Sequence, residues 1–408
     1  MNNPFTHIKH AGPGLVIAAT GLGAGDLIAA SVAGAKFGTT ILWAVVLGAI
    51  MKYVMNEGLT RWQLATGTTL LEGWVQRLPK FISIYFFIYL LAWSFIVAGA
   101  LIAGTGLAAH ALFPGISVEQ WGIFHSLLAL VLVLAGRYTL LEHLMKLFLG
   151  LMLLLVLVCA ILVAPNVPDI LHGLLAPSVP EGSIIFIFSV IGGVGGSVTI
   201  LCYGYWIDER NWNQPKDLPR SRTDLAIAYF LTGLFGIAIM IIAAGIHPDV
   251  MTGPDMALGV ASRLEEVAGP FGKWCFLIGF WCAVFSSMLG VWQGIPYLFA
   301  DFVEQYTYQP EKPSHVNTRS TAYRGYLAYL ALPPMLLLLV GEPVWLVIVY
   351  AVAGAFFMPL LCVLLLLLNN RRKLLGDLKN GLLTNLMLLG SLLLFGLLLY
   401  TEITKHLA

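Results

Sequence analysis

Gly21, Gly23 and Gly25 alternate with other small or apolar residues, and Asp26 follows at once, all within the apolar run LVIAATGLGAGDLIAASVA at residues 15–33. A carboxylate at mid-depth in a bilayer costs about 3 kcal/mol on insertion scales. Non-helical backbone is tolerated there only inside protein or beside a cavity. The stretch therefore predicts two half-helices meeting at a site. The Asp26 carboxylate, with carbonyls freed near residues 21–25, would form a hard oxygen site for a cation. It would equally serve as the N-cap of the second half-helix, and the two roles are compatible. A second apolar run, at residues 184–206, is broken by Gly192, Gly193, Gly195 and Gly196. Ser197 and Thr199 follow, with Cys202, Tyr203 and Tyr205 on the next turns. Ser197 reads as a ligand or as a half-helix cap, and the N–H groups exposed there favour an anionic or carbonyl group. Two Gly-interrupted spans in corresponding halves of a chain point to a transport site. The candidate substrate-binding set is Gly23, Gly25, Asp26, Gly195, Gly196, Ser197, Thr199 and Gln293, with Asp26 as the candidate metal ligand.

Lys52 and Asn56 are four apart and share a helical face, as do Glu57 and Arg61. Lys52 is expected to snorkel to the inner interface and Glu57 to pair with Arg61. The competing reading places Glu57 on an ion or proton pathway. Residues 82–112 contain no Asp, Glu, Lys or Arg. His125 is alone on an apolar face and is expected to be a satisfied interior histidine. Glu142, His143 and Lys146 form an expected interfacial cluster. Ser286, Ser287, Trp292 and Gln293 make a polar strip, from which Gln293 either reaches the central cavity or bonds a neighbouring helix. Asp224 follows a basic loop and is expected to pair with it. No GxxxxGK[ST] motif exists, so no ATP-driven pump, enzyme or cofactor is expected. The five cysteines show no CxxC spacing and lie in or at the ends of apolar segments, so they read as buried apolar residues.

The elements that must position these groups are membrane helices. The chain has 408 residues, of which 59% are hydrophobic and 11% charged; soluble domains carry about 25% charged residues. About eleven spans of ~20 apolar residues are expected, near 12–33, 41–56, 82–112, 121–136, 141–164, 184–206, 225–246, 271–298, 323–340, 344–368 and 381–400. With the N-terminus inside, 17 of the 22 Lys and Arg residues fall on inner segments and 4 on outer ones, Lys52 being intramembrane. The expected topology is N-terminus cytoplasmic and C-terminus outside, in the plasma (inner) membrane. The broken spans are the first and sixth, which predicts a 5+5 inverted repeat. One transmembrane domain covers 1–408: repeat one at about 12–164, repeat two at about 184–368, and an extra span at 381–400. The net charge of +1 and the lack of a basic tract exclude a nucleic-acid partner. The expected partners are a transported ion or small solute and the lipid bilayer, with oligomeric state open.

Several stretches resemble the Nramp family of divalent-metal transporters. GPGLVIAATGLGAGDLIAASVAGAKFGTTILW, from Gly12 to Trp43, is similar to the family's first-span region. TRWQLATG at Thr60 to Gly67 resembles its second-span exit, and GRYTLLEHLMKLFLG at Gly136 to Gly150 its fifth-span entry. The resemblance implies an all-α, LeuT-like fold with the site between spans one and six. The departures fall in the site itself. Where the family has Asp-Pro-Gly-Asn, this chain has Gly23, Ala24, Gly25 and Asp26; where the family has Met-Pro-His, it has Gly196, Ser197 and Val198. The soft thioether that favours transition metals is absent. The histidine tied to proton movement and the family's span-three acidic residues are absent too.

Two expectations follow. The first is a transporter of a divalent cation such as Mg²⁺, which keeps waters and uses one or two carboxylates, working without the usual proton-coupled Mn²⁺/Fe²⁺ mechanism. The alternative is a secondary transporter of a non-metal solute, a small organic molecule or anion, on the same fold. The broken helices disfavour a non-transporting sensor.

Overall fold

The computed structural model describes residues 12–407 apart from 137, 164–165, 245, 247–255, 308–315, 341–345, 347–348, 351–352 and 355. The described residues are helical or lie in turns and short irregular links, with no strand among them. The first expected span is a pair of helices, α1 (Pro13–Gly21) and α2 (Ala24–Phe37), bent by 56° at the break. Then come α3 (Leu42–Thr66), the short α4 (Leu70–Arg77), α5 (Lys80–Leu112), α6 (Val118–Ala135), α7 (Tyr138–Val163) and α8 (Val167–Leu175). The sixth span is α9 (Ile184–Gly193), a 3-10 turn (Val198–Leu201) and α10 (Cys202–Glu209). The remainder is α11 (Leu218–Ala243), α12 (Met256–Thr307), α13 (Thr321–Ala331), α14 (Phe357–Asn369), α15 (Arg372–Leu375) and α16 (Leu382–Leu407).

Among the described residues, eight helices, and ten spans if the two bent pairs are included, are long and apolar enough to cross a membrane. The expected span at 344–368 is described mainly through α14, much of its first half lying outside the described residues. Two spans differ from expectation in form. The span expected at 271–298 is part of the much longer α12, kinked at Gly269 (φ 65°). Pro270 lacks the N–H that would continue the preceding ladder, and glycine accepts the left-handed turn before it. The span expected at 323–340 is α-helical only to Ala331 and then tightens into a 3-10 segment, Pro333–Val340. Pro333 and Pro334 remove two successive donors there.

Short helices are set by local chemistry. Thr69 and Glu72 form a reciprocal capping box at the start of α4, and Ser117 with Gln120 does the same for α6. The long helices are held by burial: α11 packs on α1, α2 and α3, α12 on α1, α5 and α7, and α9 on α2 and α3. Glycines let these backbones meet, as at Gly34, where a Cβ would collide with the Met240 carbonyl of α11.

One end of the bundle is held together around buried carboxylates. Asp224 was expected to pair with the basic loop; instead its carboxylate accepts from the backbone N–H groups of Gly12 (3.0 Å) and Gly14 (2.6 Å) and from the Tyr203 hydroxyl (2.9 Å). The first turn of α1 has N–H groups without intrahelical partners, and a carboxylate satisfies them and the dipole together. Glu142 takes Lys146 at 2.6 Å and Arg210 beside it. Glu57 takes Arg61 at 2.7 Å and Arg222 at 2.8 Å, and Arg61 also donates to the Leu378 carbonyl. These pairs tie α1, α3, α7, α11, the C-terminal end of α10 and the segment after α15 together at one end of the bundle. Asp224→Ala leaves the α1 donors and Tyr203 without their acceptor. It should lower unfolding stability by about 2–4 kcal/mol and increase labelling of cysteines introduced behind this end; unchanged melting and labelling would remove Asp224 from the contacts that hold this end together.

Candidate functional site

The two breaks touch. A Cβ on Gly21 would lie 2.9 Å from the Gly195 carbonyl carbon, so only glycine allows the approach. Gly195 (φ 80°) and Gly196 (φ 77°) both hold left-handed backbone, which ends α9 and turns the chain into the 3-10 segment. At the other break, Leu22 and Gly23 separate α1 from α2, and Gly23 is extended. The last carbonyls of α1 are not left bare: Ser286 donates to the Ala19 carbonyl (3.2 Å) and Ser287 to the Thr20 carbonyl (2.7 Å). The polar strip of α12 thus closes the break of span one.

Asp26 lies in the first turn of α2, at its positive dipole end. Its Oδ1 lies 3.4 Å from where a Gly193 Cβ would stand, and the backbone amides of Gly23 and Gly195 face its carboxylate. Its Oδ2 is enclosed and has no hydrogen-bond partner among the described residues. The hydroxyl oxygens of Ser197 and Thr199 are enclosed and unpartnered in the same sense. Buried polar atoms are rarely left so without a ligand or water to meet them. A small cavity of about 10 Å³, room for roughly one water, has Asp26 in its wall beside Leu22, Val190, Val194 and Thr232. Tyr350 closes over the break: a Cβ on Gly25 would lie 2.9 Å from its ring.

Other candidates are placed elsewhere. The Gln293 side chain accepts from the Trp206 indole, and its carbonyl accepts from Tyr323, so it ties α10 and α13 to α12. Cys202 packs under Gly294, where a Cβ would lie 2.9 Å from its sulfur, away from the break. His125 donates to the Trp121 carbonyl (2.7 Å) and accepts from the Trp281 indole (3.0 Å), satisfying both ring nitrogens. Glu57 is in the ion-paired end, held by two arginines. Glu57→Gln weakens both pairs; with burial this deep it should cost about 3 kcal/mol. A Glu57 on an ion path would also alter the pH profile of transport, and a shift in melting with an unchanged profile would identify it as structural.

Lys52 is the departure that matters most. It was expected to snorkel to an interface, yet it is fully buried (0% exposed) and its ammonium enters the break of span six. It donates to the Gly192 carbonyl at 3.2 Å and to the Gly196 carbonyl, and its charge faces that of Asp26. Depth explains the difference. Lys52 is ten residues into α3, about 15 Å along the axis, near the middle of a core about 30 Å thick. Neither interface is within a lysine's reach. Asn56, on the same face, donates to Tyr229 (3.1 Å), whose ring packs against Gly195. The break of span six thus turns an amide toward Asp26 and carbonyls toward Lys52. Among the described residues no cluster of three or more His, Cys, Asp or Glu could hold a metal.

The family model described as "Nramp: Natural resistance-associated macrophage protein-like" matches residues 14–404. A divalent metal cation transporter MntH of Chromohalobacter salexigens is 24% identical over 305 residues, 68% of each chain. The MntH of Yersinia pestis is 24% identical over 259 residues, which span 60% of its length. The structure resembles that of a manganese transporter of Eremococcus coleocola, with a TM-score of 0.77 at 16% identity, covering 98% of this chain and 87% of that one. The LeuT-like arrangement recurs in MhsT, solved with L-phenylalanine, at a TM-score of 0.59 and 16% identity over 96% of this chain and 97% of that one.

Proposed function

The chain belongs to the Nramp family of membrane transporters, and from that premise we propose that it carries a hard divalent cation, Mg²⁺ first among the candidates, through the site between the two breaks. The observation that carries this reading is the enclosed, unpartnered Asp26 carboxylate oxygen at the junction of the broken spans. The hydroxyls of Ser197 and Thr199 add oxygens of the same hard kind. Oxygen donors without sulfur suit Mg²⁺ rather than soft transition metals, and one carboxylate suffices for an ion that keeps several waters. Relatives named as divalent metal or manganese transporters place metal transport within the family. The altered donor set supports a change of metal rather than of task. Glycines 23, 25, 195 and 196 let Ser287, Tyr350, Tyr229 and Thr199 pack close against the two breaks.

The cycle works by alternating access. The cation enters while the end built from Asp224, Glu142 and Glu57 is closed, binds at Asp26, and leaves when those ion pairs part. No carboxylate lies on α5, and His125 is held on both sides by tryptophans, so the proposal includes no proton coupling. Proteoliposomes holding the protein should take up Mg²⁺ with no accompanying proton movement. Mn²⁺ should bind more weakly than Mg²⁺ in calorimetric titration. Tighter Mn²⁺ binding, or a stoichiometric proton current, would refute the hard-site, uncoupled form.

A second reading is favoured by one observation. Lys52 and Asp26 offset each other's charge, and a neutral site suits a small solute that is neutral, zwitterionic or anionic. Absence of binding to either metal, with a response to small anions or amino acids, would select it.

A further inference from the structure

The cation reading leaves Lys52 unexplained, because a fixed ammonium beside Asp26 repels any cation that approaches. Burying a lone ammonium is strongly unfavourable, so the residue persists only because the site satisfies it. Its partners are two carbonyl oxygens released by the break of span six and the charge of Asp26. That set of groups, carbonyl oxygens with one carboxylate, is what an alkali or alkaline-earth cation would require. The side chain supplies a cation of its own where a transported one would bind.

We propose that Lys52 is a tethered cation that occupies the oxygens of the span-six break when the carrier is empty, and that the transported cation must displace it. The inference rests on the cation reading above. Its consequence is specificity. Na⁺ or K⁺ would exchange one unit charge for another while losing the translational freedom that the tethered ammonium has already lost. A divalent ion brings twice the attraction to Asp26 and can win the exchange. Lys52 therefore holds overall affinity down while rejecting the monovalent ions present in excess. A displaced ammonium would turn toward an aromatic ring that already lies near it. Its nitrogen is 5.9 Å from the centroid of the buried Phe395 ring on α16, within range for a cation–π contact.

A purely structural role competes with this. The ammonium also meets the carbonyl end of α9, where a positive charge stabilises the helix dipole. The two roles separate in binding experiments on the purified full-length protein. Lys52→Met keeps the length of the stem and removes the charge. The variant should bind Mg²⁺ at least about tenfold more tightly than the wild type, since two charges a few ångströms apart interact strongly even at the effective dielectric of a protein. Excess Na⁺ should now compete with Mg²⁺ in the variant and not in the wild type. In Lys52→Ala, which leaves space for a small amine, methylammonium should compete with Mg²⁺, again only in the variant.

Equal or weaker Mg²⁺ binding by a cooperatively melting Lys52→Met protein, beside a wild type that does bind, overturns the tethered-cation proposal and leaves the cation reading standing. Loss of Mg²⁺ binding in wild type and variants alike removes both. Should Lys52→Met fail to fold, Lys52→Ala decides. Methylammonium that raises its melting temperature without competing with Mg²⁺ marks Lys52 as a helix-end residue only and refutes the proposal; competition supports it.

Discussion

Asp26→Asn is expected to reduce Mg²⁺ binding by at least about tenfold, or 1.4 kcal/mol, and to lower the stability of the empty protein as well. The substitution keeps the shape of the side chain and one acceptor for the amides of Gly23 and Gly195, so α2 retains its first turn. It removes the only carboxylate at the break among the described residues, and with it the charge that a cation needs. It also leaves the ammonium of Lys52 without its counter-charge. Removing one partner of a buried pair typically costs about 3–5 kcal/mol, and the two carbonyls that Lys52 keeps should hold the loss to the lower end. The double variant Asp26→Asn/Lys52→Met separates the effects. Stability should return toward the wild-type value, because neither charge of this pair remains buried at the break, while Mg²⁺ binding stays lost. Such non-additivity is the signature of two charges that act on each other. Thermal unfolding and calorimetric titration of the four proteins would measure both quantities. Additive stability losses would mean that Asp26 and Lys52 do not interact. Undiminished Mg²⁺ binding by Asp26→Asn would reduce Asp26 to a helix cap and end the cation reading.

Much of this site was legible from residue types alone. Glycines in alternation before Asp26, and four more before Ser197, announce broken helices because a lipid-exposed span has no use for them. The role of Lys52 was not legible in the same way. Its proximity to Asn56, Glu57 and Arg61 suggested an interface, and only its distance from the start of α3 shows that no interface is within reach. Asp224 misled for a related reason. The basic loop before it is close in sequence, whereas its partners Gly12 and Gly14 are more than 200 positions away and offer only backbone N–H groups, which sequence does not flag. Gln293 illustrates a further limit: sequence left it between the central cavity and a neighbouring helix, and which residue of its polar strip serves the break depends on rotation about α12. Ser286 and Ser287 meet the span-one carbonyls, and Gln293, about two turns on, meets Trp206. The inward face is a property of packing, and a helix as apolar as α12 has no unique buried stripe to reveal it.

Restoring the family's side chains should fail to restore a transition-metal site. Gly23→Asp would put a Cβ 2.6 Å from the Ser287 oxygen and 3.1 Å from the Ser287 Cβ. Ser287 cannot step aside without giving up the Thr20 carbonyl, to which it donates at 2.7 Å. Gly196→Met meets two obstacles. Residue 196 has φ 77°, where a non-glycine residue is strained, at a cost of about 1–2 kcal/mol. Its Cβ would also crowd the Thr199 hydroxyl oxygen. Overpacking of this kind adds about 1–3 kcal/mol at each position. The Gly23→Asp/Gly196→Met protein should therefore melt well below the wild type, and calorimetry should show no gain in Mn²⁺ binding. Adding Ser287→Ala should recover part of the loss at residue 23, because it removes the colliding oxygen, and none of the loss at residue 196. Tight Mn²⁺ binding by the double variant at undiminished stability would mean that only side chains separate this site from its relatives. The left-handed backbone at residues 195 and 196, and the seats of Ser287 and Thr199 against the two glycines, argue otherwise: residues 23 and 196 have no room for a larger side chain.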